Sequence, residues 1–289
     1  MKLIWKFNLA ILAVAAVAFI LAAVVSYTVL HANARDEVLQ NARVMMESAN
    51  ASGDYTNAQV RPLLETQLKY KFIPQSVPAF AATEQFNELR KNYPDYTFKA
   101  ATLNPTNPRN HATDWEIDIV NQFRQSAAKT EVIGERASQT GRSLYLARPI
   151  QIKDPACLTC HSTPDAAPRT MVETYGSANG FGWQKNEIIG AQIVSVPEAL
   201  PVRMADQAFR SFVWSVGGVF LACLVLLDIA LLFMVVRPLM RLSALADQIS
   251  LGKFDVPEIP VRGSDEIATL SASFTRMRRS LERAMKLLE

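Results

Sequence analysis

Residues 8–30 read NLAILAVAAVAFILAAVVSYTVL, and no side chain in this stretch carries a charge. A second apolar stretch, SFVWSVGGVFLACLVLLDIALLFMVV at residues 211–236, carries only the charge of Asp228. As a helix rising about 1.5 Å per residue, the first stretch would span roughly 34 Å, against about 30 Å of bilayer hydrocarbon. Both are predicted transmembrane helices, which excludes a soluble cytosolic enzyme. Asp228 is expected either at a dimer interface or near the hydrated end of its span.

The two spans divide the chain into five parts. We predict an N-terminal stub at 1–7, transmembrane helices at 8–30 and 211–236, an external domain at 31–210 and a tail at 237–289. Two spans place both ends of the chain on one side of the membrane. Because both ends carry an excess of positive charge, that side is predicted to be the cytoplasm. No part is basic enough to predict nucleic-acid binding.

The first span could instead belong to a cleaved signal peptide, since Ala32 and Ala34 form an A-x-A sequence just after it. Secretory signals have apolar cores of roughly 7–15 residues, which is much shorter than this run. The length therefore favours an uncleaved membrane anchor.

The sharpest motif in the external domain is CLTCH at residues 157–161. This C-x-x-C-H pattern is typical of covalent haem c attachment, in which Cys157 and Cys160 bind the two vinyl groups. His161 would then be the proximal iron ligand. A disulfide, a redox-active C-x-x-C or half of a zinc site could use the same cysteines. Zinc would need two more ligands, and the remaining cysteine and one of the two remaining histidines lie in or beside a span.

We therefore predict one covalently attached haem c. Bacteria form thioether bonds to haem on the outer side of the cytoplasmic membrane. The haem motif thus predicts a periplasmic domain in a two-pass inner-membrane protein, with the N- and C-termini in the cytoplasm. This agrees with the orientation predicted from charge.

Residue patterns in the external domain change from helical to β-rich along the chain. Helical patterns cover 32–52, 59–73 and 80–92, and the first of these continues the first span outward. Short β-rich segments between turn residues follow at 96–100, 116–120, 143–147 and 188–196. Helices followed by a small antiparallel sheet predict an α+β domain.

Five segments carry a family resemblance: PQSVPAF (74–80), NPTNPRN (104–110), the haem motif, YGSANGFGW (175–183) and IIGAQIVSVP (188–197). Together they resemble the bacterial haem c-binding, PAS-like periplasmic sensor domains, which were long catalogued as a domain of unknown function and often precede a HAMP module. The resemblance covers roughly residues 32–200. It implies a haem packed between the N-terminal helix and a PAS-like sheet. It also implies a sixth iron ligand from that helix, which differs between members and can be Cys, Met or water.

The N-terminal helix of this chain contains no cysteine but has two methionines, Met45 and Met46. Adjacent residues on a helix point about 100° apart, so only one of them could reach the iron. A thioether is an established haem ligand that raises the reduction potential. Met46 is the preferred candidate because it shares a stripe with Leu39 and Gly53, and a glycine would leave room for the haem. Core packing of both methionines, with His111 or water as the ligand, is the alternative.

Other side chains are weaker candidates for haem contacts. Arg109 and Arg148 could bind the haem propionates through bidentate hydrogen bonds, although loop arginines are commonly solvated. Tyr175, Phe181 and Trp183 could form a wall of the haem site, or they could be core aromatics beside a turn.

The tail begins with Arg237-Pro238 directly after the second span, and a connector then leads to Asp265-Glu266-Ile267. Apolar residues recur behind it with alternating spacings of three and four: Ile267, Leu270, Phe274, Met277, Leu281, Ala284 and Leu288. The tail resembles the HAMP signalling module, although Ala268 and Thr275 stand where that family commonly has Gly and Asn. The resemblance implies a parallel four-helix coiled coil and hence a homodimer. Two amphipathic helices lying on the membrane surface are the alternative.

Together these features predict a membrane-bound haem c sensor without enzymatic activity. It would transmit a redox signal, or a diatomic gas signal from NO, CO or O2, from the periplasm through the HAMP module. No kinase or methyl-accepting segment follows residue 289, so the output is expected to pass to a separate cytoplasmic signalling protein, unless the chain is a fragment. One alternative is a membrane-anchored c-type cytochrome for electron transfer, for which a HAMP module would be superfluous. Another is a small-molecule receptor whose haem is structural.

Overall fold

The computed structural model describes residues 3–126, 128–138, 141–253, 255–257 and 265–286. The chain divides into two compact units, Thr28–Ala208 on the one hand and Met1–Tyr27 with Phe209–Glu289 on the other. Each unit is described by itself.

The two apolar stretches form long helices, as predicted. Helix α1 covers Leu3–Tyr55 and helix α8 covers Ala199–Leu231. Both are long and apolar enough to cross a membrane, with mean hydropathies of 2.9 and 3.0 in their most apolar parts. None of the residues in those parts is buried within the chain. Such exposure is expected of helices whose apolar side chains face lipid.

Side-chain contacts join the membrane-spanning parts of α1 and α8. Phe19 and Phe220 meet edge to face with ring centroids 5.9 Å apart. Near the start of α1, the amide of Asn8 donates a hydrogen bond of 3.1 Å to the Asp228 carboxylate. The ionisable group in the second span thus has a polar partner within the same chain, as membrane-embedded polar groups require.

The unit Thr28–Ala208 contains the remainder of α1 and a series of shorter helices. These are α2 (Arg61–Leu63), α3 (Glu65–Leu68), α4 (Pro78–Leu89), α5 (Asp114–Gln125), α6 (Leu158–His161) and α7 (Arg169–Tyr175). The predicted helix at 80–92 corresponds to α4, which starts earlier because proline is well tolerated in a first turn. The predicted helix at 59–73 is interrupted. A π-helical turn at Thr56–Val60 precedes α2, and Leu64 leaves the helical conformation.

The described residues of this unit include a four-stranded antiparallel sheet with the strand order β1-β4-β3-β2. Its strands are β1 (Thr97–Thr102), β2 (Val132–Ser138), β3 (Gly141–Gln151) and β4 (Ile188–Pro197). In register, Val194 of β4 lies between Phe98 of β1 and Leu146 of β3. A small antiparallel sheet combined with helices confirms the predicted α+β class.

The two faces of the sheet pack against different helices. On one face, α1 and α4 supply part of a buried core: Val38, Ala42, Met46, Ala49, Ala82 and Phe86, with Phe98, Leu144, Leu146, Val194 and Val196 from the strands. The opposite face packs against α5 through Ile119, Val120 and Phe123. Each large side chain that is fully buried in this way contributes about 1.5–3 kcal/mol.

The strand predicted at residues 116–120 is wrong, because these residues belong to helix α5. The alternation of Ile117 and Ile119 with acidic residues suggested a strand, but Thr113 and Glu116 form a capping box that starts a helix. The backbone N–H of Thr113 donates to the Glu116 carboxylate at 2.8 Å. Once the helix has started, Glu116, Ile119, Val120 and Phe123 share its buried face.

Strand β2 was not among the predicted strands. It pairs with β3 from Val132 opposite Ala147 to Ser138 opposite Gly141. Gly134 interrupts its apolar pattern because the Tyr145 ring lies where a side chain would be, with the hydroxyl oxygen 2.4 Å from an ideal Cβ position. A glycine that permits a close approach of this kind conceals a strand from pattern analysis.

The tail forms two helices, α9 (Arg237–Ser250) and α10 (Glu266–Lys286), which contact each other. Leu242, Ile249 and Ala268 are buried. Three residues of the predicted coiled-coil pattern remain exposed on α10: Leu270 by 48%, Met277 by 50% and Leu281 by 44%. The pattern position Leu288 lies outside the described residues.

Candidate haem-binding site

The C-x-x-C-H segment folds as one tight helical unit. A 3₁₀ turn at Pro155–Cys157 leads directly into α6, Leu158–His161. Asp154 starts the turn, because its carboxylate accepts a hydrogen bond of 2.8 Å from the backbone N–H of Ala156. Asp at an N-cap followed by Pro is a strong local signal for a helical start. The two cysteines and the histidine therefore lie on consecutive helical turns.

The two cysteines are free and half-buried. Burial raises the pKa of both thiols, and the nearby Asp154 carboxylate raises that of Cys157 further. The positive charge of Arg61 opposes these shifts at both sulfurs. Both groups are therefore held as neutral thiols, unlike the thiolates of a nucleophilic or metal-binding cysteine.

His161 is held in a defined tautomer by the glycine-rich loop at 175–183. Its Nδ1 atom lies 2.7 Å from the Gly180 carbonyl oxygen. Because a carbonyl can only accept, Nδ1 carries the proton and Nε2 keeps its lone pair. Burial lowers the pKa of His161, which keeps the imidazole neutral. A neutral imidazole with a free Nε2 and an N–H bonded to a carbonyl is the arrangement of metal-binding histidines.

The imidazole of His161 is also fixed by stacking. The Trp183 ring lies nearly parallel to it, with centroids 3.9 Å apart and an angle of 17° between the planes. The Thr106 hydroxyl lies 3.4 Å from Nδ1. The ring therefore cannot turn without disturbing the loop and the segment at 104–110.

Asn104 ties the glycine-rich loop to that segment. Its side-chain oxygen accepts from the N–H of Gly180 at 3.0 Å, and its amide donates to the Phe181 carbonyl at 3.1 Å. Gly180 has a φ of 85°, and a Cβ there would lie 2.7 Å from the Cα of Thr106. Only glycine fits this position. Two segments that carried the family resemblance thus meet at His161.

Arg61 is a candidate site residue that sequence reasoning missed. It follows the π-helical turn Thr56–Val60, and its charge acts on both Cys157 and Cys160. Single π-helical turns are rare and occur often at functional sites. An arginine beside Pro62 within a helical pattern carries no distinguishing signal in the sequence.

The region after α2 is tied to α7 on the far side of the motif. The backbone N–H of Phe72 donates to the Thr170 hydroxyl at 2.6 Å, and the ring of Phe72 meets that of Tyr175 edge to face at 6.1 Å. These contacts join the segment after α2 to the chain that follows the haem motif.

The two methionines lie in or beside the core. Met46 is fully buried among core side chains of α1, α4 and the sheet, and Met45 packs against the same cluster. Among the described residues of that cluster, none belongs to the C-x-x-C-H segment. Gly53 faces Pro78, whose Cβ would be 3.3 Å from an added Cβ, so its open side is occupied by protein. Core packing accounts for Met46, and its role as distal ligand stays a prediction.

The two arginines considered for the haem propionates have carboxylate partners in the structure. Arg148 pairs with Glu47 at 2.6 Å and with Glu131 at 3.4 Å. Arg109 pairs with Glu84 at 2.5 Å. Hydrogen bonds from Arg148 and Arg109 lower the pKa of the Glu47 and Glu84 carboxyl groups, respectively.

The residues at this site fit a covalently held haem better than a free metal ion. In the part of the chain that is described, no group of three or more His, Cys, Asp or Glu side chains could hold a metal ion. The third free cysteine, Cys223, is exposed on α8 and belongs to the other unit. Two neutral thiols and a neutral histidine with a free Nε2 are what thioether attachment and axial iron ligation require.

Comparison with known proteins gave matches for two regions of the chain. The family model Tll0287-like matches residues 31–197, and the HAMP domain model matches residues 231–283. A solved structure, entitled "Crystal structure of the cyanobacterial heme-protein Tll0287", is 17% identical, with a TM-score of 0.44. It covers 56% of this chain and 95% of its own. The curated proteins gave no match.

The two family models confirm the predicted resemblance to a haem-protein domain followed by a HAMP module. The first model covers more than half of the chain. The chain therefore belongs to the Tll0287-like family and carries a HAMP domain behind its second long apolar helix.

Proposed function

We propose that this protein is a membrane-bound haem c sensor whose periplasmic domain signals through the HAMP domain to a separate cytoplasmic protein. The geometry of His161 carries the proposal, because its Nδ1–H is bonded to the Gly180 carbonyl and its Nε2 is left free. Cys157 and Cys160 would hold one haem c through thioether bonds, and His161 would bind its iron. Haem supplies one-electron redox chemistry and diatomic gas binding when it is present. The proposal assigns the chain a signalling role and no catalytic one.

The residues around His161 would set how the site responds. The Gly180 carbonyl and the Trp183 ring hold the imidazole in one orientation. Arg61 brings a positive charge to the thiol side of the site. In the proposed orientation, both membrane helices connect this periplasmic domain to the cytoplasm. A redox change, or the binding of NO, CO or O2, is the proposed stimulus.

Homodimerisation is the second part of the proposal, and α10 supports it. Leu270, Met277 and Leu281 follow one stripe of this helix and remain exposed in a single chain. An apolar stripe with this spacing is expected to be covered by a partner helix. A second copy would complete the parallel four-helix bundle that HAMP domains are expected to form.

Crosslinking along α10 tests the bundle and its response together. In a Cys223→Ser background, single cysteines at Leu270 and Leu281 should crosslink between subunits, because the apolar stripe faces the partner. Cysteines at the exposed positions Arg276 and Arg283, which lie more than 100° around the helix from the apolar stripe, are the controls and should crosslink at least about tenfold more slowly. The rates at Leu270 and Leu281 should also differ between oxidised and reduced protein.

Uniform crosslinking around the helix would contradict a packed bundle. Stripe-specific crosslinking with equal rates in both redox states would contradict a redox stimulus, and the same assay with CO or NO would then test gas binding. A chain that only transfers electrons, the alternative function, should show no dependence on haem state in either assay.

The distal ligand is tested by conservative substitution, because Met46 is fully buried and truncation would open a cavity. Leucine at either methionine preserves volume at a cost below about 1.5 kcal/mol. If Met46 binds the iron, Met46→Leu should remove the sulfur-to-iron charge-transfer band, lower the reduction potential and admit CO. Met45→Leu should leave all three unchanged. An unaltered optical spectrum in both variants would contradict methionine ligation and favour His111 or water.

A further inference from the structure

A cavity of about 310 Å³ opens at the edge strand β1, and residues of α4 and of α5 both contribute to its lining. Its floor is formed by Thr97 and Lys99 of β1 and by Ile193 and Ser195 of β4, which lie opposite one another in register. The cavity has no lining residue from the haem motif or from the glycine-rich loop. Its volume lies at the lower end of the range for small-molecule sites, about 300–1,000 Å³.

The lining is strongly cationic. Four basic side chains reach it, Arg90, Lys99, Arg109 and Arg136, together with a single carboxylate, that of Glu116. Such an excess of one sign within a concave surface raises the local concentration of ligands of the opposite charge.

Two of these four cations are occupied by protein carboxylates. The Lys99 ammonium donates to Glu116 at 2.7 Å and to the His111 carbonyl at 2.8 Å. Arg109 pairs with Glu84 at 2.5 Å and lies over the Phe80 ring. The Glu116 carboxylate in the lining is therefore neutralised by Lys99.

Arg90 and Arg136 have no carboxylate partner among the described residues. The guanidinium carbon of Arg136 lies 4.1 Å from the centroid of the Trp115 ring. A guanidinium stacked in this way is oriented by the ring and keeps the N–H groups at its edge available for a ligand. The Arg136 guanidinium is thus held in one orientation by the Trp115 ring and has no carboxylate partner among the described residues.

We propose that this cavity binds a small organic acid, whose carboxylate pairs with Arg136 and Arg90. The arginine fork matches a planar carboxylate through two parallel hydrogen bonds. The ring of Trp115 adds apolar surface that would cover a carbon skeleton. This surface favours an organic acid over inorganic phosphate. The site would give the domain a chemical input separate from haem, and it does not depend on the function proposed above.

Calorimetric titration of the full-length protein in nanodiscs tests the proposal. The carboxylate probes are succinate, citrate and benzoate, and the negative probes are succinamide and inorganic phosphate. Salt at about 0.15 M screens general attraction to a basic surface. At least one carboxylate probe should bind saturably, and succinamide should not. Arg136→Gln and Arg90→Gln should each weaken that binding by about tenfold or more, because each removes a charge-assisted hydrogen bond.

Arg169→Gln is the matched control, since Arg169 is an exposed arginine on α7 and does not line the cavity. It should change the dissociation constant by less than about twofold. Circular dichroism of each variant verifies folding. The proposal is overturned if no carboxylate probe binds, if phosphate binds as tightly as the carboxylates, or if a folded Arg136→Gln protein binds as the unaltered protein does.

Discussion

We expect the double variant Cys157→Ser, Cys160→Ser to lose all haem staining on a denaturing gel. Only covalently attached haem survives denaturation, and serine hydroxyls do not form thioether bonds with the vinyl groups. The effect should be complete because both sulfurs of the helical unit are removed. Each single variant should retain one possible attachment point and stain weakly.

The third cysteine provides the matched control. Cys223 lies exposed on α8, and Cys223→Ser should stain as strongly as the unaltered protein. Covalent haem that persists in the double variant would rule out attachment through this motif. An unstained Cys223→Ser protein would show that the assay reports protein level instead of attachment.

Gly180→Ala should be the most destabilising single change near His161. An added Cβ would lie 2.1 Å from the Thr106 hydroxyl and 2.7 Å from its Cα, so the loop would have to move. The φ of 85° adds strain for a residue with a side chain, of about 1–2 kcal/mol. We expect a total loss of about 3 kcal/mol or more, which corresponds to a fall in Tm of roughly 6–12 °C for a domain of this size.

Gly182→Ala separates the clash from the backbone strain. Gly182 has a φ of 79°, and nothing lies within 4 Å of an ideal Cβ there. Its substitution should therefore cost only the backbone term of about 1–2 kcal/mol. Thermal unfolding followed by tryptophan fluorescence measures both variants. Equal falls in Tm would contradict the close packing of the loop against Thr106.

The sequence alone was sufficient to predict those elements whose conformation is set by neighbouring residues. The uncharged run at 8–30 predicts the first long helix, and Asp154-Pro155 ahead of the cysteines starts the helical turn that holds the haem motif. Strands β3 and β4 were predicted because their apolar residues are continuous enough to indicate buried strands.

Elements that depend on distant partners were not predictable in this way. The strand pattern at 116–120 was outweighed by the capping box of Thr113 and Glu116, and Gly134 hides β2 because its space is taken by Tyr145 on another strand. The same reason applies at the site. The proton position on His161 depends on the Gly180 carbonyl, which in turn is placed by Asn104 from a remote segment. Such contacts between distant segments leave no periodic pattern in the sequence.

The hydrogen bond between Asn8 and Asp228 restricts how the two membrane helices can move against each other. Within lipid, such a bond between helices contributes about 0.6–2 kcal/mol. A piston displacement of one helix along the other would break it. A rotation or tilt centred on this pair would preserve it. The pair is therefore expected to act as a pivot near one end of the contact between α1 and α8, with the largest displacements at the opposite end, near Tyr27 and Phe209.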